Sequence, residues 1–277
     1  MKNGFICPVC KAPLERKDNS LICEKGHCFD ISKYGYVNLL TKGGKKGHGD
    51  DKLMVKARHD FLSKEYYSHF RETVCGEVKK YFGEEKALLD SGCGEGYYTS
   101  GLCTILCNKP NSDIYGIDVS KEALKTAAKT CPNAHFAVAS AYCMPFEDNS
   151  FDIVTSLFAP LAVEEFHRVL KSGGIFITVI PLEDHLFSLK KAVYDNPYRN
   201  KPENTDLKGF ELVSSIEVKK DVCLNSNEDI KNLFMMTPYY YKTSQKDQEK
   251  LDLIDALTVE TEFMILTYKK SDVCKSP

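Results

Sequence analysis

The chain has 277 residues, of which 43% are hydrophobic and 27% are charged, enough for one sizeable α/β domain and a smaller appendage. Its net charge of -2 argues against a protein that coats nucleic acid without specificity. There is no apolar run of about 18 residues and no signal-peptide pattern, which predicts a cytoplasmic protein without a membrane span. Residues 1–60 nevertheless carry 12 Lys+Arg against 7 Asp+Glu, so this part is the better candidate for contacting phosphates.

Four potential metal ligands lie near the N-terminus with the spacing C-x2-C-x12-C-x3-H: Cys7, Cys10, Cys23 and His27. This spacing is typical of a structural Zn²⁺ site, in which four protein ligands complete a tetrahedron and leave no position for water. Cys28 directly follows His27, so the spacing also permits an all-cysteine site, and chance clustering is the remaining alternative. A module of this size buries too little surface to fold alone, and the metal would supply the missing free energy.

The composition predicts three segments. Residues 1–36 form the zinc-binding module. Residues 37–59 include a stretch rich in glycine and lysine and are expected to be a basic linker. Residues 60–277 form the second domain, whose first part, 60–82, has apolar residues at helical spacing and predicts one or two helices.

A glycine-rich loop after a buried strand is the most informative feature of the second domain. The strand is predicted at 87–91, and a helix is expected after the loop. Because glycine has no Cβ, a bound molecule can approach the backbone of such a loop closely. The next predicted strand, 114–118, ends in Asp118, at an offset from the loop where an acidic residue accepts hydrogen bonds from a nucleotide ribose. The loop glycines are Gly92, Gly94 and Gly96.

The spacing of these glycines separates two kinds of cofactor. A nicotinamide dinucleotide fingerprint is G-x-G-x-x-G, but here the third glycine comes one residue earlier. Asp90 stands two residues before the first glycine, and the whole pattern resembles motif I of the class I S-adenosylmethionine-dependent methyltransferases. We therefore predict S-adenosylmethionine as the cofactor. A dinucleotide and a tight turn without a ligand are the alternatives.

Strands and helices alternate through the rest of the domain, which predicts a parallel doubly wound sheet. Two longer strands beyond Pro181 suit the antiparallel hairpin that closes a class I methyltransferase sheet. The predicted fold is thus a Rossmann-like α/β sheet, mostly parallel with an antiparallel closing strand, plus the small N-terminal zinc-binding module. The predicted elements are strands at 134–138, 151–157, 174–180, 210–224 and 263–270, and helices at 121–131 and 162–171.

The acceptor is expected beyond the fourth strand of this sheet, because ligands bind at the carboxyl ends of the strands. Enzymes that methylate exocyclic amino groups commonly carry Asn/Asp-Pro-Pro-Tyr/Phe there, whereas this chain has Phe158, Ala159 and Pro160. The difference favours a ring nitrogen or oxygen as the methyl acceptor. Phe158 could stack on the acceptor base, and the alternative is an ordinary core aromatic.

With these parts assembled, the chain resembles the 23S rRNA (guanine-N1)-methyltransferase family, the RlmA type, from end to end. The resemblance implies methyl transfer to N1 of one guanine in a hairpin loop of 23S ribosomal RNA, by a homodimer. In some members it implies protection from macrolide-type antibiotics. The stretches that carry the resemblance are 7–10, 21–27, 33–40, 92–99, 116–121 and 236–238.

The resemblance also implies roles for single residues. It favours His27 over Cys28 as the fourth zinc ligand, and it implies cofactor contacts from Tyr67, from the backbone of Gly94 and Glu95, and from His185. From the residues alone, Tyr67 is as well explained by helix packing and His185 by a surface position. The full predicted cofactor set is Tyr67, Asp90, Gly92, Gly94, Glu95, Gly96, Asp118 and His185.

Neither the proton acceptor nor the RNA surface follows from a motif. His185 and Glu183 are candidates for accepting the N1 proton of guanine. Basic residues of the linker and three tyrosines are candidate RNA contacts, with a solvated linker and a strand as their alternatives. These candidates are Lys42, Lys45, Lys46, Lys52, Lys56, Arg58, Tyr239, Tyr240 and Tyr241.

Two other functions compete with this one. A small-molecule methyltransferase of the same fold is disfavoured by the basic first 60 residues, and a non-catalytic zinc-bearing RNA-binding protein is disfavoured by the intact glycine loop.

Overall fold

The N-terminal part of the computed structural model is a four-stranded antiparallel sheet in which each strand pairs with the next along the chain. Short strands joined by tight turns suit a module whose ligands come from two turns, because each turn brings a pair of ligands together. The strands are β1 (Lys2–Ile6), β2 (Pro13–Lys17), β3 (Ser20–Ile22) and β4 (Cys28–Asp30). The structure describes residues 2–40, 52–83, 86–106 and 112–271.

The second sheet has eight strands among the described residues, in the order β11-β12-β10-β9-β6-β7-β8-β5. All its pairings are parallel except those of β12, which runs antiparallel to both of its neighbours. This confirms the predicted doubly wound sheet with an antiparallel closing strand. The strands are β5 (Tyr36–Asn38), β6 (Ala87–Ser91), β7 (Asp113–Asp118), β8 (His135–Val138), β9 (Phe151–Ser156), β10 (Leu170–Pro181), β11 (Phe210–Leu224) and β12 (Leu257–Lys270).

Helices cover this sheet, and none in the described part of the chain has the length and apolarity needed to cross a membrane. They are α1 (Lys52–Leu62), α2 (Ser68–Tyr81), α3 (Tyr97–Leu106), α4 (Lys121–Thr130), α5 (Val163–Val169), α6 (Phe187–Val193), α7 (Asn227–Met235) and α8 (Gln245–Gln248). Two short 3-10 helices lie at Tyr240–Lys242 and Glu249–Leu253.

The segment predicted as a basic linker, 37–59, contains more regular structure than its composition indicates. At its start, β5 pairs in parallel with β8 and adds an edge strand to the large sheet. At its end, α1 already begins at Lys52, eight residues before the predicted helical region. The helix buries Met54 and Val55 while its lysines stay exposed. It is therefore a short amphipathic helix, whose charged residues made the segment resemble a linker in sequence.

Two apolar cores lie on the two faces of the large sheet. One face packs against the helices that precede and follow the glycine loop. The other face packs against the zinc module: the Phe5 ring lies 5.5 Å from the Tyr115 ring of β7 and 5.2 Å from the Phe146 ring. Cys7 and Cys23 belong to this same core. The zinc module is therefore a packed layer of the domain, and it lies directly beneath β7, the strand that carries Asp118.

Candidate functional site

The predicted metal ligands form one compact cluster. The Sγ atoms of Cys7, Cys10 and Cys23 and a ring nitrogen of His27 all lie within 4.8 Å of one another and could hold a metal ion. His27 Nδ1 lies 3.3 Å from Cys23 Sγ and 3.5 Å from Cys7 Sγ, and the sulfurs of Cys10 and Cys23 are 3.6 Å apart. Three thiols and one imidazole are a donor set that suits Zn²⁺.

Two backbone turns bring these ligands together. In the first turn the N–H of Lys11 donates to the carbonyl of Cys7, and in the second the N–H of Gly26 donates to the carbonyl of Cys23. Lys11 and Gly26 both have positive φ, of 62° and 80°, which allows each turn to close tightly. Cys28 lies in β4, is exposed and is not a member of the cluster.

Hydrogen bonds lower the pKa of one of these thiols, that of Cys23. Burial alone would raise the pKa of the Cys23 thiol, but hydrogen bonds from the backbone and side chain of His27 and from the Cys10 side chain outweigh it and lower the pKa to about 6. A thiolate is the form that ligates a metal, so the local structure fits a bound cation.

The three loop glycines have positive φ but meet different surroundings. A Cβ built on Gly92 would lie 2.3 Å from the Cβ of Ala159, and one built on Gly96 would lie 2.9 Å from the Cα of Ala127 in α4. These two glycines therefore let the loop pack against the protein. A Cβ on Gly94, where φ is +55°, would meet only Arg58 Nη1, at 3.7 Å. Gly94 is thus the position where a ligand can approach the backbone.

Asp118 joins the end of β7 to this loop. Its Oδ2 accepts a hydrogen bond from the backbone N–H of Gly94 at 3.0 Å, and its Oδ1 accepts one from the backbone N–H of Ser120 at 2.8 Å. Both carboxylate oxygens are therefore oriented by the backbone beside the open face of Gly94. An acid in this place can accept hydrogen bonds from a pair of vicinal hydroxyls.

Asp90 lies beneath the loop and is 2% exposed, and its carboxylate makes hydrogen bonds within the protein. Its Oδ2 accepts from the Thr99 hydroxyl at 2.5 Å, and its Oδ1 accepts from the Thr155 hydroxyl at 2.9 Å. Burial raises the pKa of Asp90 to about 6, although these two hydrogen bonds oppose the rise. Asp90 thereby connects β6 to α3 and to β9. The two threonines were not identified in the sequence, because no motif marks them.

Tyr67 and His185 contact the same aromatic ring, although they lie far apart in the sequence. The ring centroid of Phe263 in β12 is 5.5 Å from that of Tyr67 and 4.3 Å from that of His185. Tyr67 is 3% exposed and His185 is 8% exposed. The surface position considered for His185 is therefore wrong. Burial raises the pKa of Tyr67 above its usual value, so its hydroxyl remains a donor.

The protonation state of His185 follows from its contacts. Its Nδ1 accepts a hydrogen bond from the backbone N–H of Glu262 at 3.2 Å, which places the ring proton on Nε2. Burial, with a smaller effect from the charge of Lys190, lowers the pKa of His185 to about 3. His185 is therefore a neutral hydrogen-bond donor at neutral pH and does not suit the role of proton acceptor. Glu183, the other candidate, is exposed.

Phe158 lies at the carboxyl end of β9, and its ring is 52% exposed. Its φ of +56° is unusual for a bulky residue and marks a strained turn. One side of the ring packs against Phe263 at 5.2 Å and Phe70 at 5.4 Å. The next residue, Ala159, touches Gly92, so the loop predicted to receive the acceptor lies directly against the glycine loop.

The candidate RNA contacts are dispersed. Lys42, Lys45 and Lys46 lie outside the described residues. Lys52 and Lys56 are exposed on α1, where Lys56 pairs with Asp60, whereas Arg58 is half-buried and faces Gly94.

The three consecutive tyrosines do not form the strand that was one alternative. Tyr240 and Tyr241 begin a 3-10 helix, and the Tyr241 side chain is 64% exposed. Tyr239 instead packs its ring against Lys190, so a continuous stacking patch is not formed.

Comparison with known protein families gives two matches on this chain. A family model described as "Methyltransferase domain" matches residues 89–178, which include the glycine loop and Asp118. A second model, described as "RlmA, N-terminal" and representing a zinc ribbon, matches residues 5–47, which include the four clustered ligands. The two matches confirm the predicted combination of a zinc module and a methyltransferase domain.

Two curated proteins that are similar to this chain over most of its length have the same activity in their names. "Putative 23S rRNA (guanine-N(1)-)-methyltransferase YxjB" of Bacillus subtilis (strain 168) is 36% identical over 206 residues, which are 73% of this chain and 72% of that protein. "23S rRNA (guanine(748)-N(1))-methyltransferase" of Streptomyces fradiae is 34% identical over 190 residues, covering 68% of this chain and 66% of that protein.

Proposed function

The chain belongs to the 23S rRNA (guanine-N1)-methyltransferase family, and we propose on this premise that it transfers a methyl group from S-adenosylmethionine to N1 of a guanine in a hairpin loop of 23S ribosomal RNA. The observation that carries the proposal is the hydrogen bond between Gly94 and Asp118, which sets an open backbone turn beside an oriented carboxylate. Because its substrate belongs to the ribosome, the enzyme would act in the cytoplasm. The family resemblance supports a homodimer.

The residues present fit the cofactor. S-adenosylmethionine, when bound, supplies a methyl group attached to a positively charged sulfur. Asp118 would accept hydrogen bonds from the ribose hydroxyls, and Gly94 would admit the cofactor to the backbone. Tyr67 and His185, which both contact the Phe263 ring, would donate hydrogen bonds to the cofactor. Glu95 follows Gly94 in the loop before α3; it is 5% exposed, and its Oε1 lies 3.5 Å from His59 Nδ1.

Asp90 differs from the other members of the predicted cofactor set. Because Asp90 is 2% exposed, whereas Asp118 is only partly buried, and both Asp90 oxygens accept hydrogen bonds from buried threonines, we propose that Asp90 holds the loop in place and does not contact the cofactor. Gly92 and Gly96 would act in the same indirect way, since each is in close contact with another part of the protein.

The acceptor base would enter at Phe158. Guanine N1 carries a proton and takes part in base pairing, so an unpaired loop base is the form that the enzyme can reach. The half-exposed Phe158 ring offers a stacking surface, and contact of Ala159 with Gly92 keeps that surface next to the cofactor loop. Holding the base in line with the methyl group converts a bimolecular displacement into an effectively intramolecular one.

The zinc site would be structural. We propose Cys7, Cys10, Cys23 and His27 as its ligands, which the compact cluster and the exposed position of Cys28 support. Four protein ligands leave no open coordination position, so the metal would stabilise the module that packs beneath β7. Exposed lysines of α1 are suitable contacts for RNA phosphates.

Methylation of ribosomal RNA in vitro tests the proposal. The zinc-loaded chain is incubated with labelled S-adenosylmethionine and undermethylated 23S rRNA, and primer extension then locates the product, because a methyl group on N1 blocks base pairing. We expect label in 23S rRNA and a new stop at one guanine. Label found in small molecules alone, or a stop at no guanine, would contradict the proposed substrate. Asp118→Asn is the matched control and should give much less label and a weaker stop at the same concentration of S-adenosylmethionine.

A further inference from the structure

Lys190 of α6 is a buried cation that the mechanism above does not use. It is 1% exposed, and among the described residues it has no carboxylate in ion-pair contact. Its Nζ lies over two aromatic rings, 4.6 Å from the centroid of Tyr198 and 5.0 Å from the centroid of Tyr239. A buried charge without an acidic partner is costly, so its position calls for an explanation.

Lys190 makes a side-chain hydrogen bond to Asn200. Its Nζ donates a hydrogen bond to Asn200 Oδ1 at 2.7 Å. The amide nitrogen of Asn200 in turn donates to the carbonyl of Leu182 at 2.8 Å and to the carbonyl of His185 at 3.3 Å. The backbone N–H of Asn200 donates to the carbonyl of Glu183 at 3.0 Å. Asn200 therefore joins three carbonyls of the turn at residues 182–185.

This arrangement fixes the orientation of the Asn200 amide. Both protons of its nitrogen face backbone carbonyls, so its oxygen must face a donor, and Lys190 supplies that donor. The two tyrosine rings hold the ammonium group in place, since a cation over an aromatic face is attracted to it.

The turn that Asn200 holds is the one that presents His185. The His185 ring is itself fixed by a hydrogen bond from the backbone of Glu262 to its Nδ1 and by contact with the Phe263 ring. Its Nε2–H is the donor that a ligand could use. We infer that Lys190 is a positioning residue, which acts through Asn200 to hold the 182–185 turn so that His185 donates to the bound cofactor. The inference rests on the proposed function, because it assumes that His185 contacts S-adenosylmethionine.

A double-mutant cycle on cofactor binding tests the inference. Equilibrium dialysis of labelled S-adenosylmethionine is carried out with the zinc-loaded full chain as wild type, Lys190→Met, His185→Ala and the double variant. We expect Lys190→Met to weaken binding about tenfold in the wild-type background, and to have almost no further effect once His185 is absent. Lys191→Met, an exposed neighbour on the same helix, is the matched control and should bind as wild type does.

A second variant separates positioning from stability. Asn200→Asp keeps an acceptor for Lys190 and pairs it with a carboxylate, but it replaces the two N–H donors by an oxygen that faces the carbonyls of Leu182 and His185. We expect the turn to be displaced and cofactor binding to weaken about tenfold, while the ion pair with Lys190 limits the fall in melting temperature to a few degrees. Wild-type affinity in Lys190→Met or in Asn200→Asp, or independent losses in the double variant, would overturn the inference. Failure of the wild type to bind would overturn the proposed function together with it.

Discussion

The zinc cluster and the glycine loop are the two sites of this chain, and they are built from different parts of the polypeptide. The cluster consists of side chains, three sulfurs and a nitrogen that lie within 4.8 Å of one another. The loop site consists of backbone with positive φ at Gly92, Gly94 and Gly96, together with one carboxylate, Asp118, which accepts hydrogen bonds from two main-chain N–H groups.

This difference decides what a substitution can do at each site. Removing a metal ligand removes both a bond and the free energy that the metal contributes to folding. Adding a methyl group to the loop either displaces neighbouring protein or blocks the ligand, depending on which glycine carries it. The two sites are also connected, because Cys7 and Cys23 share an apolar core with Tyr115 of the strand that ends in Asp118.

The largest effect is expected at the metal cluster. Cys23→Ser should release zinc and lower the free energy of unfolding by at least about 4 kcal/mol, since the whole layer beneath β7 depends on the metal. Elemental analysis and chemical denaturation measure the two quantities. Cys28→Ser is the matched control and should keep one zinc per chain. Loss of zinc in that control, or full stability of Cys23→Ser, would contradict the ligand set.

Two glycine substitutions should separate packing from binding within the loop. Gly92→Ala places a Cβ 2.3 Å from that of Ala159 at a φ of +76°, and we expect a loss of about 3 kcal/mol in stability. Gly94→Ala meets no such overlap, so it should cost only about 1–2 kcal/mol while weakening cofactor binding at least about tenfold. Equal denaturation curves for the two variants would contradict the claim that Gly92 is required for packing and Gly94 for binding.

The buried carboxyl under the loop should make stability depend on pH. Burial raises the pKa of Asp90 to about 6 from a usual value of 3.8, so folding favours its protonated form. Its contribution to stability is present below pH 4 and is lost as the pH rises through about 6, by about 2–3 kcal/mol in all. Relative to Asp90→Asn, the wild type should therefore lose stability between pH 4 and pH 7. A constant difference between the two proteins over this range would refute the assignment.

A smaller effect on stability and a larger one on binding are expected at Asp118. Asp118→Asn keeps the size of the side chain, but it loses the charge and can accept only one of the two backbone hydrogen bonds, so cofactor affinity should fall about 10–100-fold. The melting temperature should change by only a few degrees. Calorimetric titration measures the affinity, and an unchanged dissociation constant would mean that the carboxylate does not contact the cofactor.

Much of both sites could be predicted because the informative residues are close together in sequence. The zinc ligands lie on two short turns, and the spacing between Gly96 and Asp118 follows from one strand–helix–strand unit. The contacts of His185 could not be predicted, since Glu262, which fixes its tautomer, lies 77 residues away on β12. No local pattern marks such a pairing.

Short or highly charged elements could not be predicted from the sequence either. The three residues of β5 are too few to show the alternating hydrophobic pattern of a strand, and the lysines of α1 made its apolar positions look like part of a linker. Asp90 was assigned to the cofactor set from its place before the loop, and its threonine partners, Thr99 and Thr155, are known only from the fold.

Binding of S-adenosylmethionine to the zinc-loaded chain is the most direct test of the central claim, that a main-chain loop and one carboxylate form a cofactor pocket above a metal-stabilised layer. Isothermal titration calorimetry should give saturable binding of one molecule per chain, weakened in Gly94→Ala, which retains its zinc and its fold. Absence of measurable heat with folded, zinc-containing protein, or equal binding by Gly94→Ala, would contradict it.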